Sequence, residues 1–274
     1  MAELQPVPFM VGTMYDQFTD IFAQYFGGNL HFGYWESEKD DSPIEVATNR
    51  LTDLVADRLA LTTGGRVLDV GCGSGKASVH ISSGRGLHVV GITVSDHQLQ
   101  LARARSYDEG LAEQVSFQLA DATELPFEDS SFEGAYAIES ILHMRDKDTV
   151  FGNLARVLRP GARLVIADFY QSDEISGNEA NLAVHASQLL QIPPLITADM
   201  YREHVHRVGL QLVEFTDIRE HVERSYASLP AMFQQIASTF GSEIFPQAVT
   251  VARFLEQFGI IPQVGYMLLT AVRP

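Results

Sequence analysis

The stretch Arg66 to Ala77, reading RVLDVGCGSGKA, constrains this chain more than any other. Val67, Leu68 and Val70, broken by Asp69, make a short apolar run of the kind a parallel strand buries on both faces. Gly71, Gly73 and Gly75 follow at once, then residues that can open a helix, which is the order a nucleotide-binding turn requires. The backbone there must turn tightly and come close to a ligand, and a Cβ obstructs both. The spacing is GxGxG, not the dinucleotide GxGxxG. It points away from a pyrophosphate and towards a smaller nucleoside ligand.

A chain of 274 residues, 46% of them apolar, can bury one large core, or a core with an appended cap. No window approaches roughly 18 consecutive apolar residues, and the N-terminus lacks a basic segment leading into an apolar one, so a soluble, cytoplasmic protein is expected. Acidic residues outnumber basic ones by 35 to 19, a formal charge of −16. Such a field disfavours nucleic acid and anionic membranes as partners. The single cysteine, Cys72, excludes an intrachain disulfide, and inside the glycine turn it reads as a small packing residue rather than a reactive thiol.

Along the chain, residues 1–10, with Pro6 and Pro8, read as a loose arm. Apolar and aromatic positions from Val11 to Phe26 recur every three or four residues, as on a helix that Gly27 and Gly28 end. The aromatic run Asn29 to Trp35 is either a plug under that helix or a lid over a ligand. Helices are expected over 44–61, from the glycine turn to about Ser82, over 96–110 and over 146–158. Arg159-Pro160-Gly161 stops the last of these. Strands are expected over 67–70, 88–92, 115–120, 132–138, 163–168, 211–217 and 264–272, with further helices over 172–190, 197–208 and 221–259. Strands alternating with helices predict an α/β fold with a parallel sheet covered on both faces. The insertions 171–196 and 221–262 lie where substrate caps form in such sheets.

The motifs MYDQFT, NLHFGYW, VLDVGCGSGKA, GITVSDHQ, ADATELPFEDSSFEGAYAIESILHM, ARVLRPGARLVIADF and GYMLLTAVRP occur in this order. Together they resemble a class I S-adenosylmethionine-dependent methyltransferase over the whole chain, of the natural-product type represented by the rebeccamycin glycoside O-methyltransferase. That resemblance implies a Rossmann-like, seven-stranded, mostly parallel sheet, with an N-terminal helical lid over 1–62, a cofactor-binding core over 63–170, and the end of the sheet with its cap helices over 171–274.

The resemblance also implies residue roles. Asp69 and the amides around Gly71 and Gly73 would hold the methionine portion of the cofactor, Thr93 and Gln98 its ribose, and Asp121 and Ala122 its adenine. Tyr15, Leu30, His31 and Trp35 match an aromatic lid that shields the sulfonium. Glu139, His143 and Asp168 gather at the rim of the sheet; if the turn ESILHM is helical, Glu139 and His143 share a face. Glu139 also belongs with the cofactor residues. An imidazole has a pKa suited to deprotonating an alcohol, and Asp168 is either a base or a strand-end residue. Relatives that methylate phosphobases pair the matching histidine with the N-terminal tyrosine, which implies a Tyr15–His143 pair. The glycoside enzyme has two adjacent histidines where this chain has Leu142-His143, leaving one imidazole.

The other histidines lack metal-site spacing, so no metal is expected. The expected activity is transfer of a methyl group to a hydroxyl, or to a ring or amino nitrogen, of a small natural product in bacterial secondary metabolism, with S-adenosylhomocysteine as the by-product. An N-methyltransferase acting mainly by positioning and a non-catalytic S-adenosylmethionine-binding module are the alternatives; a nicotinamide dehydrogenase disagrees with the glycine spacing. Leu189, Leu190, Ile192, Leu195, Met232, Phe233 and Phe240 suggest a partly apolar acceptor. A homodimer through the lid or the cap is left open.

Overall fold

The computed structural model describes residues 8–189, 191–240 and 255–274, at some helix positions as backbone alone. Its strands are β1 (Arg66–Val70), β2 (His88–Thr93), β3 (Val115–Leu119), β4 (Phe132–Ile138), β5 (Leu158–Gln171), β6 (Gln211–Asp217) and β7 (Val264–Val272). They form one sheet in the order β3-β2-β1-β4-β5-β7-β6. The first five pair in parallel, and β7 enters antiparallel between β5 and β6. This is the seven-stranded, mostly parallel architecture expected.

The period of two along β1 assigns its side chains to opposite faces. Val67 packs with Leu51, Val55 and Leu59 of helix α2 (Ile44–Leu59), while Leu68 and Val70 pack with Phe151 and Leu154 of α5 (Lys147–Val157). Asp69 therefore shares the α2 face, although it is a carboxylate. The remaining helices are α1 (Pro8–Tyr25), α3 (Lys76–Arg85), α4 (Asp96–Asp108), α6 (Gly177–Leu189), α7 (Ala198–Arg207) and α8 (Arg219–Phe240). Side-chain caps start α4, α5 and α7: Ser95 accepts from the Gln98 amide, Asp146 from Thr149 and Thr197 from Met200. By contrast, α3 opens on Gly75 with no side-chain cap.

β5 departs most from the sequence-based expectation of 163–168. It runs from Leu158 to Gln171, straight through the proline and glycine expected only to stop a helix. Its extra length comes from pairing: β7 is bonded along it as far as Gln171↔Val264, and the Gly161 amide donates to the Arg273 carbonyl at 2.7 Å. α6 begins at Gly177 rather than 172, and of the expected helix over 221–259 the part at 241–254 lies outside the described residues.

Candidate functional site

The carboxyl ends of β1, β2 and β4 and the segment after β3 surround a cavity of about 450 Å³. Its floor is the glycine turn. Gly71 sits at φ 81°, and a Cβ there would lie 2.5 Å from the Ser140 Cβ; Gly73 sits at φ 53°, where a Cβ would reach within 2.9 Å of Leu30 Cδ1. Both positions need a glycine for its conformation and for the space it leaves. Gly71 and Cys72 amides both donate to the Ile92 carbonyl, at 3.0 and 2.8 Å, which ties the turn to β2. Asp69 Oδ2 accepts from Ser78 Oγ at 2.5 Å and Tyr136 OH at 2.8 Å, and burial raises its pKa to about 6.

Of the fourteen residues expected at the site, twelve line this cavity: Tyr15, Leu30, His31, Asp69, Gly71, Gly73, Thr93, Gln98, Asp121, Ala122, Glu139 and His143. Thr93 Oγ1 donates to Gln98 Oε1 at 2.7 Å, and Gln98 Nε2 reaches Thr19 of α1 at 3.2 Å. Asp16 of α1 accepts from the Ser95 hydroxyl and, at 3.2 Å, from the His97 amide. So the N-terminal helix closes one side of the cavity by capping the start of α4. Asp121 both lines the cavity and caps the following turn, accepting from the Thr123 amide at 2.8 Å.

Trp35 and Asp168 do not line this cavity. Trp35 is buried away from the cavity; its Nε1 donates to the Ser42 carbonyl at 3.0 Å, its amide to the His221 carbonyl, and Arg224 lies over its ring. The aromatic run is thus both things at once. Leu30 and His31 face the cavity, while Phe32 joins Phe26, Phe169 and Tyr226 in the core and Tyr34 stacks on His221. Asp168 is fully buried behind the cavity wall, its Oδ2 accepting from the Leu142 amide at 2.9 Å and its Oδ1 from the Phe169 amide at 2.8 Å. Burial raises its pKa to about 7.

The turn ESILHM is not an α-helical turn. Glu139 has φ 48°, and only Ile141–His143 is helical, as a single 3₁₀ turn. Glu139 and His143 therefore meet at the cavity through a strained residue rather than a shared helix face. The Glu139 amide donates to the Ala167 carbonyl, and its Oε1 accepts from the Phe32 amide at 2.7 Å and Tyr266 OH at 2.9 Å. Burial raises its pKa to about 8. Tyr266, in the terminal strand, carried no sequence signal beyond its motif, since its role depends on a strand pairing from the far end of the chain.

His143 Nδ1 lies 3.1 Å from the Gln191 carbonyl and Nε2 lies 2.9 Å from Tyr15 OH, the pairing expected. A carbonyl only accepts, so Nδ1 carries the proton and Nε2 accepts from Tyr15. Burial lowers the imidazole pKa to about 4 and raises that of the phenol. The pair is neutral, with its donor and acceptor order set by one backbone carbonyl. Among the described residues no three His, Cys, Asp or Glu side chains gather as a metal site, and no helix is long and apolar enough to cross a membrane.

The cavity fits the expected cofactor. Its size is that of a small-molecule site, it lies at the strand ends where the sheet order reverses, and a Cβ at either glycine would collide with Ser140 or Leu30, which line it. Residues 61–208 match the family model described as a methyltransferase domain. The chain is 46% identical over 217 residues to the O-methyltransferase rstn1 of Aspergillus nomiae, an alignment covering 79% of this chain and 96% of that one. It is 35% identical to the 27-O-demethylrifamycin SV methyltransferase of Amycolatopsis mediterranei, over 98% of this chain and 99% of that one. Among solved structures, the [4+2]-cyclase SpnF superposes with a TM-score of 0.84 at 28% identity, covering 98% of each chain. Relatives from both Aspergillus and Amycolatopsis mean that kinship alone does not carry the bacterial setting expected from the motifs.

Proposed function

The chain belongs to the methyltransferase domain family as a class I, S-adenosylmethionine-dependent enzyme of the natural-product type, and on that premise we propose that it methylates a hydroxyl of a neutral, largely apolar small molecule, with Tyr15 and His143 removing the proton. Bound S-adenosylmethionine supplies an electrophilic methyl group on a sulfonium. Asp69 with the glycine turn, Thr93 with Gln98, and Asp121 with Ala122 are the residues that would hold its three parts, and α1 with Leu30 and His31 covers one side of the cavity, where it would limit water around the sulfonium.

The observation that carries the reading is the Tyr15–His143 hydrogen bond at the cavity wall, with Nδ1 already committed to Gln191. Tyr15 oxygen accepts the acceptor's hydroxyl proton while its own proton passes to His143 Nε2. The positive charge His143 gains replaces the one lost as sulfonium becomes thioether, so the buried site keeps its net charge. That offsets the desolvation that otherwise holds the imidazole neutral. Asp168 acts behind this pair, fixing the turn that presents His143.

The acceptor's apolar body fits a second cavity of about 310 Å³ on the other side of the Gln191 segment, lined by Ile175, Val184, Ile192, Leu195 and Phe258 and, among the described residues, by no charged side chain. Ile192 and Leu195 were expected there. The side chains of Leu189, Leu190, Met232, Phe233 and Phe240 lie outside those described. A chain of charge −16 also suits a neutral acceptor better than a polyanion.

Mass spectrometry of reactions with S-adenosylmethionine and a panel of hydroxylated, glycosylated and amine-bearing natural products tests the proposal. An O-methylated product is expected, strongest with apolar alcohols and phenols. Methylation of an amine that persists in His143→Ala would replace the base mechanism with one of positioning alone. No methyl gain anywhere, with S-adenosylhomocysteine still bound, would favour chemistry without transfer; SpnF shows the fold carrying a cyclase.

A further inference from the structure

Lys147 is the first residue of α5, and it is buried. Both placements are unfavourable for a lysine. A cation at a helix N-terminus opposes the helix dipole, and a buried ammonium gives up its water. Among the described residues its Nζ makes one hydrogen bond, donating to the Met144 carbonyl at 2.7 Å. Burial lowers its pKa to about 8, with Asp168 acting in the opposite direction. The rest of the helix face asks for no charge, since Val150, Phe151 and Leu154 pack among apolar residues.

The carbonyl that Lys147 holds belongs to the turn carrying His143. Met144 closes that turn, its amide donating to the Ile141 carbonyl at 3.0 Å. On the other side of the histidine, Asp168 Oδ2 accepts from the Leu142 amide at 2.9 Å. Two buried side chains of opposite charge therefore grip the turn, one by an N–H before His143 and one by a C=O after it. Their charges also meet there: Lys147 favours the ionised form of Asp168 and disfavours a proton on His143. The other titratable groups around the turn are Tyr15 from α1, Glu139 after β4 and Tyr201 from α7, each with its pKa raised by burial. None of these can carry a positive charge. Arg145 and Asp146, between Met144 and Lys147, are exposed.

We propose that Lys147 is a positioning residue for methyl transfer, clamping the Ile141–His143 turn together with Asp168 so that His143 Nε2 is aimed at Tyr15. This rests on the reading of Tyr15 and His143 as the group that removes the proton. Asp168 by itself fixes one end of the turn; with the second end also tied, the imidazole cannot swing away from the phenol. The same ammonium disfavours a second positive charge beside it, so the resting imidazole stays free to accept a proton. A lysine where the helix dipole favours a carboxylate is thereby accounted for.

Lys147→Met keeps the length of the side chain and removes its charge, whereas Lys147→Arg keeps the charge. Three measurements on the full chain test the clamp: turnover on the acceptor found by mass spectrometry, S-adenosylhomocysteine affinity by calorimetry, and the titration of His143 by NMR. The His143 ring resonance is identified by its loss in His143→Ala. In Lys147→Met, turnover is expected to fall by about tenfold or more while S-adenosylhomocysteine affinity is kept. His143 in that variant is expected to take up its proton at a pH higher by about 0.5 or more. Lys147→Arg is expected to leave the His143 titration near that of the unaltered chain and to recover part of the turnover. An unmoved His143 midpoint in Lys147→Met overturns the proposal, as does turnover that is undiminished there. Turnover that survives His143→Ala strikes the base assignment instead, and the His143 midpoint reads the clamp without any need for turnover.

Discussion

Asp168→Asn separates a base from a positioning residue. The native carboxylate receives one backbone amide on each oxygen, Leu142 at 2.9 Å and Phe169 at 2.8 Å, with no exposed surface. Asparagine replaces one acceptor with an NH₂ that points at a backbone N–H. That N–H is then buried without a partner, which costs about 1–3 kcal/mol, and the bond that survives is no longer to a charge-bearing group. A total near 2–3 kcal/mol follows, which for a chain of this size lowers Tm by about 4–12 °C. Loss of the Leu142 contact also frees the Ile141–His143 turn, so turnover and cofactor affinity both fall. The assay is calorimetric Tm with S-adenosylhomocysteine titration, alongside turnover on the acceptor found by mass spectrometry. An unchanged Tm and affinity with turnover down by more than about a hundredfold would refute the positioning role and make Asp168 a base.

His143→Ala is expected to lower turnover by about 10²- to 10⁴-fold, and Tyr15→Phe by a comparable factor, with S-adenosylhomocysteine affinity nearly kept. The double variant should be little worse than either, because the two side chains act as one relay, whereas additive losses would mean they act separately. The buried carboxyls make stability depend on pH in a definite direction. Glu139, raised to about 8 from an ordinary 4.5, keeps a proton in the folded chain that the unfolded chain has released, so stability falls as pH rises between those values. Asp168, raised to about 7, adds to that fall. His143 and His31, lowered to about 4, oppose it only up to their ordinary 6.5. Tm should therefore decline from pH 6.5 to 8, and decline less in Glu139→Gln; identical slopes by differential scanning fluorimetry would show that Glu139 is ionised throughout.

Much of this protein was determined by local sequence. The apolar runs and their period of two placed β4, β6 and β7 at their observed bounds, and the glycine spacing identified the turn under the cavity, because burial pattern and positive φ are properties of short segments. Motif likeness singled out twelve residues that line one cavity, and the Tyr15–His143 pair. What only the tertiary structure decided is which way side chains within a motif point and who meets whom across the chain. Trp35 and Asn29 stand six residues apart in one aromatic run, yet one turns to Ser42 and Arg224 while the other turns to the cavity. Asp168 sits at the expected rim, but the two amides that claim it come from its neighbour and from a turn 26 residues upstream. Glu139 owes its amide's hydrogen bond to β5 and its carboxyl's bond from Tyr266 to β7, and His143 owes its tautomer to a carbonyl 48 residues away. Hydrogen bonds over such separations depend on the closed sheet, and no local pattern encodes them.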